Sequence, residues 1–340
     1  MTLGRAFSPV AQSAPVGTEV SLPRRALALS DGAAGNANQA LALAAALGAA
    51  IDPLQLAPYP PWRWFSPRQL PGSRHALGES FAQRLHPPWP DVAIGCGRQA
   101  ALATRLIRNA SAGVCKAVQI LDPRINPRHF DLVIAPQHDE LTGANVITTL
   151  GSLNAIDDAW LQQARAAFPG LLDLPTPRYA LLLGGPTRAL KLDRDYWSQL
   201  TTILSARLRA EGASLMLTSS RRSPAWLRKA ARTAFAGIPC RQWHDPGDGA
   251  NPYAGFLAWA DAIVVTPDSV NLLSEAAATR VPVWTFAAHP INGKVGRFVE
   301  ALRARGRVRF LGESAAPGAI VPLRETARVA AEIRARFGWL

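Results

Sequence analysis

Short apolar runs, each closed by a glycine, a proline or a polar turn, recur along the chain and alternate with Ala- and Leu-rich stretches of helical spacing. The first run covers residues 25–30 and leads through a turn at 31–36 into a helix predicted over 37–47. Residues 58–72 hold five prolines and read as a long loop. Residues 91–94 read as a buried strand that enters Gly95-Cys96-Gly97 and a helix over 99–108. Further strands are predicted over 116–121 and 131–135. Two prolines within three residues mark 171–178 as a linker, and beyond it the pattern restarts. Strands are predicted over 179–183, 214–217, 262–265 and 281–286, and helices over 196–211, 270–279 and 324–337.

Strands alternating with helices at this pace argue for parallel sheets built from βαβ units. Two such series predict an α/β protein of two Rossmann-like domains, facing across a cleft, with a flexible tail over 1–22, a first domain over 23–172 and a second over 173–322. In open sheets of this kind ligands bind beyond the carboxyl ends of the strands, so the polar turns at those ends are where chemistry is sought.

In the second half, Thr266-Pro267-Asp268-Ser269 leads into a helix whose free N–H groups and dipole favour an anion. Ser269 can cap that helix or contact a phosphate. Glu275, two turns in, can accept the hydroxyls of a ribose or stand solvated. Gly184 and Gly185 admit a ligand close to the backbone. Ser219, Ser220, Arg221 and Arg222 supply hydroxyls and guanidinium groups suited to phosphate. Together these turns describe a nucleoside-diphosphate pocket. Asp193-Arg194-Asp195 matches a metal–nucleotide pattern, but it directly precedes a helix and reads as an N-cap.

In the first half, Gly95 to Ala100 fits G-x-G-x-x-A with Asp122 closing the next strand. A dinucleotide site and a tight strand-to-helix turn both fit that pattern, and Arg98 could meet an anion in either case. Asp31 and His138, each just past a predicted strand, are candidate general bases.

Composition narrows the classes. At 48% hydrophobic and 18% charged residues, the 340-residue chain is not disordered. Three widely spaced cysteines exclude a disulfide scaffold and a cysteine-based zinc module. The net charge of +13 favours anionic partners such as phosphates or an anionic membrane surface, although Arg-rich coding alone also produces it. No run is long and apolar enough to span a membrane, and the first twenty residues lack the apolar centre of a secretory signal, so a cytoplasmic place is expected. The basic residues are dispersed and no nucleic-acid motif appears, so no nucleic-acid partner is expected.

The segment from Ser30 to Gln39, Gly97-Arg98, Asp122-Pro123-Arg124, Phe130 to Val133 with Pro136 to Asp139, Asn145 to Thr148, Gly184-Gly185-Pro186, Thr218 to Arg222, Asn251-Pro252-Tyr253 and Thr266 to Ala276 together resemble the bacterial branch of the mitochondrial-fission ELM1 family. The resemblance runs over about residues 27–328, with Arg280 where the family usually has glycine. It implies a GT-B-like glycosyltransferase fold, with a nucleotide-sugar donor on the second domain and an acceptor on the first. It also implies a final helix, 323–340, that crosses back to the first domain. On that reading Gly184, Gly185, Ser219, Ser220, Arg221, Asp268, Ser269 and Glu275 hold the donor, favoured as a UDP-type sugar. Gly32, Gly35, Asn36, Gln39 and Arg98 shape the acceptor side, and Asp31 or His138 takes the acceptor proton. No metal or other cofactor is required, because helix dipoles and basic groups meet the leaving diphosphate. The acceptor is expected to be a lipid-linked or envelope glycan, with the protein peripheral on the inner membrane. A non-catalytic interaction protein on the same scaffold and a nicotinamide-dependent enzyme using Gly95 to Ala100 are the alternatives.

Overall fold

A computed structural model describes residues 24–187, 190–314 and 319–339. The expected tail at 1–22 and Arg188 of the glycine turn lie outside the described residues. The first unit carries β1 (Arg25–Ser30), α1 (Ala34–Ala46), β2 (Ala50–Gln55), the short helices α2 (Trp62–Phe65) and α3 (Glu79–Ala82), β3 (Val92–Cys96), α4 (Arg98–Ala110), β4 (Lys116–Ile120), β5 (Leu132–Pro136) and β6 (Val146–Thr149). After α5 (Asp158–Ala167) come β7 (Arg178–Leu183), α6 (Arg194–Ala210), β8 (Ser214–Ser219), α7 (Ala225–Ala234), β9 (Cys240–Trp243) and α8 (Tyr253–Trp259). The chain continues through β10 (Ala262–Val265), α9 (Val270–Ala277), β11 (Val283–Thr285), α10 (Gly293–Ala304), β12 (Arg309–Phe310) and α11 (Thr326–Phe337).

These strands form two six-stranded, all-parallel sheets, ordered β2-β1-β3-β4-β5-β6 and β12-β11-β10-β7-β8-β9. The expected pair of Rossmann-like domains is present. Central strands of parallel sheets are covered on both faces and therefore read as continuous apolar runs. All residues of β3, β5, β7 and β8 are buried. Edge strands escape that signature. β2 is half exposed and contains Pro53, which an edge tolerates because one side of its ladder is unpaired.

Each sheet reverses its strand order once. The first does so between β1 and β3, the second between β7 and β10. Such switch points open a crevice at the carboxyl ends of the two strands flanking them.

Two departures from the sequence reading concern boundaries. The 58–72 loop contains a helical turn, α2. More important, α5 packs on α8: Leu161, Ala164 and Leu171 join the second domain's core with Phe256 and Leu257. Gly255 makes this approach possible, since a Cβ there would meet the Phe168 side chain. Leu150 and Ile156 join the second core and Leu153 the first, so by packing the chain crosses between the domains over 150–156, before the 171–178 linker. The final helix does cross back. Val329, Ala330 and Ile333 of α11 are buried in the first domain's core, and Arg334 donates to the carbonyl of Ala46. Burying Val329 and Ile333 contributes roughly 1.5–3 kcal/mol each, and the single methyl of Ala330 less.

Two chain segments thus pass between the domains, and they are tied together. One carboxylate oxygen of Glu325 accepts the N–H groups of Leu150 (2.6 Å) and Gly151 (3.0 Å). The Thr326 hydroxyl accepts from the Asn154 N–H and donates to the Asn154 carbonyl.

Candidate functional site

The carboxyl edges of both sheets open onto one interdomain cleft of about 1330 Å³. On the second-domain side the geometry starts from Asp268, whose side chain is fully buried beyond β10. It accepts hydrogen bonds from the Gly185 N–H (3.0 Å), the Thr266 hydroxyl (2.7 Å) and the Arg222 guanidinium (2.9 Å). Thr266 in turn accepts from the Gly184 N–H at 2.8 Å. Burial pushes the Asp268 carboxyl up, against the pull of these donors. The two glycines admit protein rather than open space: a Cβ on Gly184 would strike the Asp268 carboxylate, and one on Gly185 the backbone of Arg222. Asp268, Gly184 and Gly185 therefore form the frame of the site, and their mutual contacts already use both glycine N–H groups.

Ser269 caps α9, accepting from the Leu272 N–H. Among the described residues the N–H groups of Val270 and Asn271, at the helix start, have no protein acceptor, and both residues line the cleft. Glu275 is not the solvated carboxylate of the alternative reading. It is half-buried, accepts a short hydrogen bond from the Tyr253 hydroxyl, and lines the cleft with it. Burial raises both groups, Glu275 as a carboxyl and Tyr253 as a phenol. Tyr253 has no counterpart in the residues singled out from the sequence. Its pairing spans 22 positions, and the only sequence signal was the Asn251-Pro252-Tyr253 motif.

Ser219 is buried at the end of β8 and bonded to Nδ1 of His244 at 2.9 Å. His244 meets Gln242 through its other nitrogen, so the ring donates from Nε2 and accepts the serine proton at Nδ1. Ser220 and Arg221 line the cleft beside it. The two neighbouring arginines differ. Arg222 is the one tied to Asp268, whereas Arg221 has no ion pair or hydrogen bond among the described residues.

On the first-domain side, Asp31 follows β1 and accepts from the Ala33 N–H and the Asn36 amide. Asn36 also accepts from the buried thiol of Cys96. Asp31 and Gly32 do not line the cleft among the described residues, whereas Gly35, Asn36, Gln39 and Arg98 do. Gln39 is buried, and its side chain bonds the Gly35 carbonyl and the Leu153 N–H, tying α1 to the interdomain segment. Gly35 lies against the side chain of Asn271, so the starts of α1 and α9 meet across the cleft. Neither α1 nor α4 has a side-chain cap. Arg98 and Arg124, like Arg221, line the cleft without an ion-pair partner among the described residues. Gly95 packs against Thr104 and Ala100 within β3 and α4, and Asp122 closes a turn onto the Arg124 N–H. The G-x-G-x-x-A stretch thus serves a strand-to-helix junction on β3.

His138 lies in the cleft just beyond β5, its side chain 9% exposed and its Nδ1 without a partner. Nε2 stands 3.8 Å from Asp139, whose carboxylate is instead held by Lys294 of α10 at 2.6 Å. Arg297 of α10 donates to the His138 carbonyl, and the ring packs on Phe298. Burial pushes the His138 imidazole down, Lys294 and Arg297 add to that, and Asp139 opposes them. These influences favour the uncharged ring, whose unpartnered Nδ1 is sealed from solvent. Outside the cleft, Asp193 caps α6 through the Tyr196 N–H, which accounts for the Asp193-Arg194-Asp195 pattern.

A family model described as Mitochondrial fission ELM1 matches residues 34–337. The chain belongs to the ELM1 family. A curated relative, the mitochondrial fission protein ELM1 of Arabidopsis thaliana, is 34% identical over 284 residues, covering 74% of this chain and 65% of the plant protein. The chain thus spans just under two thirds of that relative. An uncharacterized protein of Rickettsia prowazekii is 24% identical over 264 residues, 66% of this chain and 73% of that protein. Among solved structures, the UDP-GlcNAc 2-epimerase of Methanocaldococcus jannaschii superposes with a TM-score of 0.51 at 12% identity, covering 92% of this chain and 99% of that one. That likeness shows the fold: this member of the ELM1 family is built on a GT-B-like scaffold.

Proposed function

We propose that the protein is a glycosyltransferase that moves a sugar from a nucleoside-diphosphate donor to an envelope or lipid-linked acceptor. One observation carries the reading. The open start of α9, the half-buried Glu275–Tyr253 pair and the unpaired Arg221 converge on the cleft at the second sheet's switch point. The diphosphate would lie at the N–H groups of Val270 and Asn271, where the helix dipole favours negative charge, with Arg221 as counter-charge. Glu275 keeps one oxygen for Tyr253 and offers the other to a ribose hydroxyl. The donor is taken to be of UDP type, in keeping with the name of the archaeal epimerase.

His138 is the better base of the two candidates, because it lines the cleft and its Nε2, 3.8 Å from Asp139, makes no hydrogen bond, while Asp31 is held by Asn36 and Ala33. In the reaction His138 takes the proton of the acceptor hydroxyl, the acceptor oxygen bonds to the sugar's anomeric carbon, and the bond to the diphosphate breaks. The leaving charge falls on α9 and Arg221, so the scheme calls for no metal. Gly35, Asn36 and Arg98 shape the acceptor side. The net charge of +13 suits a place at an anionic membrane.

The test is thermal stability against UDP, GDP, ADP, CMP, NAD and their sugar conjugates. A ligand at about 100 times its dissociation constant stabilises by ~2.7 kcal/mol. A shift with one nucleoside diphosphate, absent in Arg221→Ala and Glu275→Gln, supports the reading. No shift with any of them overturns it and favours the second reading, an interaction protein on this scaffold, which the plant relative's name suggests.

A further inference from the structure

The segment between β2 and α3 carries a cluster of exposed aromatic rings. Tyr59, Trp64 and Phe65 are 60%, 68% and 47% exposed, and they are the exposed large aromatic side chains of the described residues. All three fall within seven consecutive positions. Soluble surfaces rarely gather such groups unless something covers them.

The exposure is built rather than accidental. The Tyr59 N–H donates to the Ala76 carbonyl at 2.9 Å and closes the loop's ends. Inside, Trp62 donates its indole N–H to the Pro71 carbonyl, and Ser66 bonds back to the Trp62 carbonyl. Arg105 of α4 holds the Pro67 carbonyl at 2.7 Å. Trp62 thus anchors the loop from within while Trp64 and Phe65 stand out from it.

Charge identifies the occupant. From Pro53 to Gly78 the chain contains no acidic residue, and Arg63, Arg68 and Arg74 are all exposed. Aromatic rings flanked by unopposed guanidinium groups match the interface of an anionic bilayer, where rings sit at headgroup level and arginines meet phosphates. The segment leaves the carboxyl end of β2, the edge at which the cleft lies, so a docked surface would stand on the first domain's side of that cleft.

We propose that the 59–76 loop is a membrane-docking wedge that seats Tyr59, Trp64 and Phe65 in an anionic bilayer while Arg63, Arg68 and Arg74 bind its headgroups. This names the surface behind the membrane location in the reading above and does not depend on sugar transfer.

The experiment is flotation of the full chain with phosphatidylcholine vesicles, with and without phosphatidylglycerol. The wild type is expected to float with the anionic vesicles. The double variant Trp64→Ser, Phe65→Ser should lose at least about tenfold in affinity. Replacing Arg63, Arg68 and Arg74 by Gln should cost about fivefold per charge on anionic vesicles. Both variants change exposed groups and should keep the wild-type melting temperature and nucleotide response, so a failed nucleotide screen leaves this result standing and a failed flotation leaves that one. The proposal is overturned if the wild type ignores anionic vesicles or if the aromatic variant binds them undiminished. It is also overturned if sedimentation without lipid shows a wild-type dimer that the aromatic variant turns into a monomer, since the patch would then join two copies of this chain.

Discussion

At the second sheet's switch point, Asp268 and Thr266 bind the N–H groups of Gly184 and Gly185 and fix Arg222, and Ser269 caps the helix that follows. At the first sheet's switch point, Asp31 and Asn36 hold each other and a thiol, and α1 and α4 begin without side-chain caps. The second edge is a closed polar lattice with one opening at α9. The first is looser and faces the cleft with helix starts and the unpaired Arg98 and Arg124. On the proposed function, the difference would match two tasks. A constant nucleotide is suited by a rigid cradle arranged in advance, and a large acceptor by an open wall.

Breaking the lattice should have the largest effect. Asp268→Ala leaves the Gly185 N–H and the Thr266 hydroxyl buried without their acceptor and should destabilise by about 3 kcal/mol in chemical denaturation. Gly184→Ala, whose Cβ would collide with the Asp268 carboxylate, should behave similarly. Asn36→Ala, its counterpart at the first edge, should cost only about 1 kcal/mol. Equal losses at the two edges would erase the distinction.

Ligand response should separate the edges next. Glu275→Gln and Arg221→Ala should remove the ~2.7 kcal/mol of nucleotide stabilisation expected at saturation, while Arg98→Ala keeps it and slows only turnover. Loss of nucleotide response in Arg98→Ala would move the donor to the first domain.

A third test acts on both edges at once. Glu325→Ala frees the N–H groups of Leu150 and Gly151 between the domains and should cost about 2 kcal/mol. It should leave isothermal nucleotide binding to the α9 start intact if the second edge is rigid by itself, and weaken it if that edge relies on the first.

Much of this arrangement was legible in the chain, and the exceptions share a cause. The motif from Thr266 to Glu275 is contiguous, so strand end, cap and buried carboxylate lie in one readable stretch. The central strands announced themselves as apolar runs because both faces are covered. β2 and β9 did not, since edge strands are half exposed and β2 carries a proline. The assignment of α5 to the second core depends on what it packs against, and periodicity carries no such information. Arg221 and Arg222 are adjacent in one turn, so only three-dimensional placement shows which one Asp268 claims. The Tyr253–Glu275 pair and the His138–α10 contacts likewise join residues that sequence spacing leaves unrelated.

The smallest effect, and the one that sharpens the comparison most, is the response to pH. His138 at the first edge and His244 at the second both have imidazoles held below the ordinary 6.5, mainly by burial. A depressed histidine contributes stability that is present above 6.5 and lost as pH falls through the lowered value. At the second edge, Asp268 and Glu275 act in the opposite sense. Their raised carboxyls contribute stability that is present below the ordinary carboxylate range and lost as pH rises through the raised values, so acidification restores it. On acidification the carboxylates therefore act against the loss from both histidines. Melting temperature followed from neutral to mildly acid pH should fall less steeply in His138→Gln than in the wild type. Turnover in the wild type should be retained to lower pH than an ordinary histidine base allows, and nucleotide binding should persist in the variant after turnover is lost. If His138→Gln melts along the wild-type pH curve, the imidazole is not held neutral by its burial. If the variant also retains turnover, the acceptor proton leaves by another group, and Asp31 regains its claim.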